Sequence, residues 1–333
     1  MKIAIVKLSA LGDIVHAMAS LQFIKAQIAD IEIDWVVEQR YAQLLQYNPD
    51  LNQVLAINLK QLKTNKTAIF QQIKQLRQYA NKHYDLVIDA QGLLKSALTA
   101  KLLGPRVAGF DAHSIRETAA SWWYDIKISC PYSANTIDRN ASVIAQPLGF
   151  EISPRQILAK KAFLFFSGTD FQFENYLQTE QKNLVFVIGS TWESRNYPAD
   201  KFVKIAEALK QNCLVIWGSE TERRQAEAMA LKSAYIKMMP ALDLNALKAL
   251  IAKADLVVGN DTGPTHMAWA LNRPSITIFG PTPVSRVYQT EINVVVKSAT
   301  IVNPYKLNKQ DFSIRDIDEQ DIIMKAKALL WPA

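Results

Sequence analysis

The chain has 333 residues, more than one hydrophobic core ordinarily serves, so two domains of about 150 residues each are expected. With 49% hydrophobic and 21% charged residues it is not a disordered polymer; no window approaches the roughly 20 apolar residues of a membrane span, and the N-terminal apolar run is only a strand long, which argues against a signal peptide. A formal charge of +7 favours an anionic partner, whether a phosphate-bearing ligand, an acidic membrane surface or nucleic acid, and the lack of an RRM-like aromatic motif or a zinc finger makes nucleic acid the weakest of these.

In chain order, MKIAIVKL reads as a buried parallel strand over 2–8. Ile14, Val15, Met18, Leu21 and Ile24 then recur at helical spacing, predicting a helix over 13–28. A tight strand-to-helix turn therefore sits at Ser9-Ala10-Leu11-Gly12-Asp13, at the strand edge where open α/β sheets bind ligands. Asp13 reads equally as a first-turn carboxylate or as a general base within reach of a hydroxyl nucleophile. Strand 32–37, a short strand near 54–57, helix 66–81, strand 85–89, helix 93–103 and strand 106–109 follow. This alternation implies a parallel sheet covered on both faces.

Polar and aromatic residues over 150–182 suggest a linker. A second alternating series begins with NLVFVIG at 183–189, then helix 199–211, CLVIWG at 213–218, helices 220–232 and 243–252, DLVVGN at 255–260, helix 264–271 and SITIFG at 275–280. Two Rossmann-like domains with parallel sheets facing across a cleft are the simplest arrangement. An amphipathic segment at 316–331 could pack back onto the first domain.

Three turns of the second half gather polar groups. GSTWESRNYP at 189–198 offers Ser190, Thr191 and Arg195 to a diphosphate, although the hydroxyls could equally cap a helix. WGSETERR at 217–224 supplies Trp217, Gly218, where a ligand could approach the backbone, and Glu220 or Glu222 for sugar hydroxyls; first-turn acids also stabilise a helix unaided. GNDTGPTHMAWA at 259–270 is the most specific string: Asp261, Thr262 and Gly263 end an apolar strand, and His266 lies in the first turn beside free N–H groups that would share a phosphate with it. No dinucleotide fingerprint, Walker A string or metal-binding motif occurs. Cys130 and Cys213, far apart, suggest buried thiols in a reducing compartment rather than a zinc site or disulfide.

Taken together, IVKLSALGDIVHAMA at 5–19, DWVVE at 34–38, YDLVIDAQGLLKSAL at 84–98, WGSETE at 217–222 and DTGPTHMAWALNRPSITIFGPT at 261–282 resemble the heptosyltransferases of glycosyltransferase family 9, with DAQGLLKSA favouring those that add the first heptose of the lipopolysaccharide inner core. The resemblance implies a GT-B fold with an acceptor-binding domain at 1–165, a sugar-nucleotide domain at 183–315 and a terminal helix at 316–333. It implies metal-independent, inverting transfer of heptose from ADP-heptose to the Kdo of Kdo2-lipid A, with no cofactor, at the cytoplasmic face of the inner membrane. Asp13 matches the family's proposed base. Ser190, Thr191, Arg195, Trp217, Gly218, Glu222, Asp261, Thr262, Gly263 and His266 fall on the donor side; Arg195 stands where the family often has Lys, and Tyr197 where Trp is common. Ser9, Gly12, Gln91, Lys60, Lys63, Lys66 and Arg116 fall on the acceptor side, although surface lysines are usually just solvated. Trp122-Trp123-Tyr124 suits either a membrane interface or core packing. The alternatives are a family 9 transferase with another acceptor, such as heptosyltransferase II, and a noncatalytic sugar-nucleotide or nucleic-acid binder.

Overall fold

The computed structural model describes residues 1–168 and 171–332, with residues 62 and 63 described by their backbone alone. It forms two compact units, Met1–Phe165 and Phe166–Ala333, each built around a six-stranded sheet.

In the first unit β1 (Lys2–Val6), β2 (Glu32–Glu38), β3 (Gln53–Ile57), β4 (Leu86–Asp89), β5 (Val107–Phe110) and β6 (Ile126–Ile128) lie in the order β3-β2-β1-β4-β5-β6, every pairing parallel. The largely apolar strands β1, β4 and β5 are buried almost throughout, as strands covered on both faces require. The chain moves outward from β1 to β3 and then returns to β4. The crossovers beside β1 and β4 thus run in opposite directions, which opens a crevice at their C-terminal ends.

The second unit repeats the plan. Its strands β7 (Asn183–Val187), β8 (Asn212–Ile216), β9 (Ile236–Met238), β10 (Leu256–Asn260), β11 (Ser275–Phe279) and β12 (Asn293–Lys297) take the order β12-β11-β10-β7-β8-β9, the same order when counted from β7. Here the crossovers reverse between β7 and β10.

Several elements differ from expectation. The helix predicted over 13–28 is two, Leu11–Met18 and Leu21–Gln27, separated where Ser20 N donates to Ala17 O at 3.2 Å, a tighter i→i−3 turn. β6 and β9 escaped the sequence reading because edge strands of three residues show too little periodicity; β12, NVVVK, was also missed, and as an edge strand it is buried only in part. The helix Thr136–Ala145 was missed because its buried face includes a polar residue, Asn140. Within the expected linker, Ser153 caps a short helix, Pro154–Leu158, and Phe163 and Leu164 are buried in the first unit. The terminal helix Glu319–Leu330 corrects the expected packing onto the N-terminal domain. Its apolar face, Ile322, Ile323, Ala326 and Leu330, is consumed by the core of the second unit together with Phe202, Ile205 and Leu209.

Candidate active site

In the first unit the candidate base lies at the reversal. Asp13 is the third residue of the helix Leu11–Met18, and its Oδ2 accepts from Ala10 N at 3.2 Å, so it does support the helix start. The residue is nevertheless only half-buried, so support of the helix start does not exclude a chemical use. Gln91, in the loop after β4, uses its side-chain Oε1 to accept from Leu8 N at 2.8 Å and Ser9 N at 3.1 Å. Its amide thus fastens the turn that carries Ser9, Gly12 and Asp13.

Gln91 is itself held from behind. Buried Asp89 accepts from Gln91 N at 2.8 Å, Gly92 N at 3.2 Å, Ser96 Oγ at 2.8 Å and Tyr124 OH at 2.6 Å. Burial pushes the Asp89 carboxyl up despite these donors. Gly92 has φ +72°, and a Cβ there would meet the Ile115 side chain at 2.7 Å, so this turn needs glycine twice over. Lys7 is buried beside them, donating to Ala90 O at 2.7 Å and Asn140 Oδ1 at 3.0 Å; burial lowers its pKa, opposed by Asp13 and Asp89.

The remaining acceptor candidates spread along the same C-terminal edge. Lys60 and Lys66 follow β3 and are exposed, as is Arg116 after β5. The Lys63 side chain lies outside the described residues. The aromatic triplet divides: Trp122 is 79% and Trp123 42% exposed, whereas Tyr124 is buried on Asp89.

In the second unit the loops after β7 and β10 are stitched together. Asn260 Nδ2 donates to Ile188 O at 2.7 Å, and Tyr197 N donates to Asn260 Oδ1 at 2.9 Å. Asp261 is the centre of the cluster. Arg195 Nη2 donates to its carbonyl and, at 2.9 Å, to Oδ2; Thr282 Oγ1 donates to Oδ2 at 2.7 Å; Arg286 Nη1 stands 3.8 Å from Oδ2; and His266 Nε2 lies 3.0 Å from Oδ1. Burial would push this carboxyl up, but Arg286, the hydrogen bond to His266 and Arg195 overcome it and hold the group well below the usual carboxylate range. An ionised carboxylate only accepts, so Nε2 of His266 carries a proton. Arg195, expected at a diphosphate, is thus paired with Asp261 in this structure.

Neither hydroxyl of the first donor loop caps a helix. The helix Ala199–Leu209 has Pro198 as its N-cap residue, and the buried Ser190 Oγ has no hydrogen-bond partner among the described residues. Thr191 is exposed. Thr262 is the N-cap residue of the helix Gly263–Ala270 but makes no side-chain cap, which leaves the backbone N–H groups of that first turn to other acceptors. After β8, Trp217 Nε1 donates to Met239 O at 2.6 Å, so its N–H serves the fold. Glu222 accepts from Gly218 N at 2.7 Å, and a Cβ on Gly189 would fall 2.1 Å from its carboxyl carbon. Glycine at 189 thus lets Glu222 lie against the loop that bears Ser190. All ten donor candidates gather at the loops after β7, β8 and β10. Thr282 and Arg286 were missed; the available signal was that GPTPVSR follows the apolar strand β11 on the same edge.

Comparison with known proteins bears directly on this arrangement. The profile of glycosyltransferase family 9 (heptosyltransferase) matches residues 69–317, and lipopolysaccharide heptosyltransferase 1 of Campylobacter coli is 34% identical over 99% of both chains. The chain belongs to glycosyltransferase family 9. Among solved structures of the family, the Escherichia coli heptosyltransferase WaaC with ADP is similar at a TM-score of 0.80, with 24% identity over 99% of this chain and 100% of that one. The same enzyme with ADP-2-deoxy-2-fluoro heptose gives 0.76, with 25% identity over 98% and 100%. The two-unit α/β plan is accordingly the GT-B fold of these heptosyltransferases.

Proposed function

We propose that this protein transfers L-glycero-D-manno-heptose from ADP-heptose to the Kdo of Kdo2-lipid A, by a single inverting displacement without a metal ion, at the cytoplasmic face of the inner membrane. The observation that carries the reading is the end-to-end kinship with a lipopolysaccharide heptosyltransferase 1, at 34% identity over 99% of the chain. Asp13 at the reversal of the first sheet gives that kinship a chemical site.

Asp13 takes the proton from a Kdo hydroxyl as its oxygen attacks the anomeric carbon of heptose. One C–O bond forms, the bond to the diphosphate oxygen breaks, and ADP leaves with the electron pair. In-line attack inverts the anomeric centre. The leaving diphosphate is met by the first-turn N–H groups of the helix Gly263–Ala270 and by the positive charge of Arg195, with Ser190 and Thr191 as hydroxyl donors. Glu222 suits the ribose hydroxyls, and Lys60, Lys66 and Arg116 suit the carboxylates and phosphates of the acceptor.

The test is ADP release from ADP-heptose with Kdo2-lipid A, compared with the same acceptor already carrying one heptose. Release with the first alone supports the proposal. Release that requires the heptosylated acceptor makes the protein a heptosyltransferase II, and tight ADP-heptose binding with no turnover on either makes it a noncatalytic binder.

A further inference from the structure

Three neighbouring elements of the first unit expose apolar side chains on one layer. The helix Ala68–Ala80 packs on the helix Leu94–Leu103, which packs in turn on the Thr118–Trp123 turn. Their inward faces are conventional, burying Ala68 and Leu76 on the first helix and Ala97, Ala100 and Leu103 on the second. Outward they present Ile69 and Phe70, then Leu94 and Leu98 one helical turn apart, then Trp122 and Trp123; Phe70 and Trp122 are 75% and 79% exposed. Scattered exposed apolar residues need no explanation, but a band of them across adjacent elements marks a surface that something covers.

The surrounding charge indicates what covers it. Residues 51–84 contain six Lys or Arg and no Asp or Glu. Exposed Lys66, Lys95 and Arg116 adjoin the band. The acid within it, Glu117, accepts from Leu94 N at 2.7 Å. Residues 1–165 hold 19 Lys and Arg against 13 Asp and Glu, whereas residues 166–333 hold 19 against 18, so nearly all the excess charge is on this unit. Protein interfaces are depleted in lysine, whereas tryptophan beside unpaired cations is the composition of a surface that rests on anionic lipid headgroups. The first turns of both helices also lie at the C-terminal edge of the sheet, the edge that carries Asp13.

We propose that this band is a membrane-docking face that seats the first unit on an anionic bilayer, with Phe70, Leu98 and Trp122 in the headgroup layer and the cations around them. It names the surface by which the proposed transferase meets its lipid-borne acceptor, and it rests on that reading for the purpose of docking alone.

The test is co-sedimentation of the full chain with phosphatidylethanolamine–phosphatidylglycerol vesicles that contain no lipid A. The wild type is expected to bind these about tenfold or more tightly than phosphatidylcholine vesicles, and the combined Phe70→Ser, Leu98→Ser, Trp122→Ser variant is expected to lose about tenfold or more. Its turnover on a deacylated, water-soluble acceptor should be unchanged. Trp122→Ser alone, at the most exposed position, should weaken binding in the same direction and serves if the triple variant does not fold. Equal binding by wild type and variants overturns the proposal, as does a concentration-dependent dimer in sedimentation velocity that the variants abolish, which would assign the face to a second copy. A failure of the transferase reading would appear separately, as vesicle binding without ADP release on the deacylated acceptor.

Discussion

At the scale of single residues, the two reversals are built by different devices. Around Asp13 the scaffold is a relay of hydrogen bonds from Tyr124 through Asp89 to Gln91 and on to Leu8 N and Ser9 N. Gln91 was expected as an acceptor contact; its amide oxygen holds the turn that carries Asp13. Replacing it with Ala should lower kcat by about 10- to 100-fold, since a displacement of about 1 Å costs that much, while KM for ADP-heptose is unchanged. Gln91→Glu, which retains an acceptor, should recover part of the loss; steady-state kinetics of both variants check this. Around Asp261 the device is a buried charge shared by two arginines, a histidine and Thr282. Removing one member of such a buried set leaves the others uncompensated, so Asp261→Ala should cost about 3–5 kcal/mol in urea unfolding. Because the native pKa of Asp261 is depressed, its contribution is fully present above the ordinary value of about 3.9 and is lost only as pH falls below it. The difference between wild type and Asp261→Ala should therefore stay flat from pH 8 to about pH 5 and shrink in stronger acid.

At the scale of elements, legibility followed burial. The inner strands announce themselves because burial on both faces demands near-continuous apolar runs such as IAIV and LVFV. IKI and IKM, at the edges of the two sheets, carry too few residues and too much polarity to do so. The DTGPTH string marked a candidate site, yet not that Arg195 folds onto Asp261 or that Thr282 and Arg286 join it, because those contacts link loops 20 or more residues apart in sequence. Close approach of backbone to side chain was equally invisible. Gly109 in β5 lies under Tyr124, whose ring would stand 2.5 Å from an added Cβ. Gly109→Ala should therefore destabilise the first unit by about 1–3 kcal/mol and, by displacing Tyr124 from Asp89, reduce activity along with Gln91→Ala. Thermal unfolding and turnover of the variant check both.

At the scale of the whole molecule, one strand order is used twice, and each copy places its polar loops where the crossovers reverse. That duplication was readable as a recurring strand, glycine and helix; the fate of the last helix was not, since an amphipathic stripe does not say which core it completes. Besides Lys7, each unit buries a further lysine. Burial lowers Lys160 in the first and Lys248 in the second to about 8. The unfolded chain therefore holds these protons between about pH 8 and 10.5 while the native state has released them, so stability should rise with pH across that window. Lys160→Met should be more stable than wild type at pH 7 by about 1–3 kcal/mol, with the advantage vanishing near pH 10.5; denaturant midpoints measured across pH check this.

The proposed role of Asp13 as the base of a metal-free transfer is tested most directly by ADP release from ADP-heptose with Kdo2-lipid A in EDTA, for wild type and Asp13→Ala, alongside ADP affinity of both. Wild type should turn over in the chelator, and Asp13→Ala should lose about 10²- to 10⁴-fold in kcat while binding ADP as before. Turnover by Asp13→Ala within about threefold of wild type, a change far smaller than loss of a general base produces, would contradict the assignment, as would a wild type that EDTA silences.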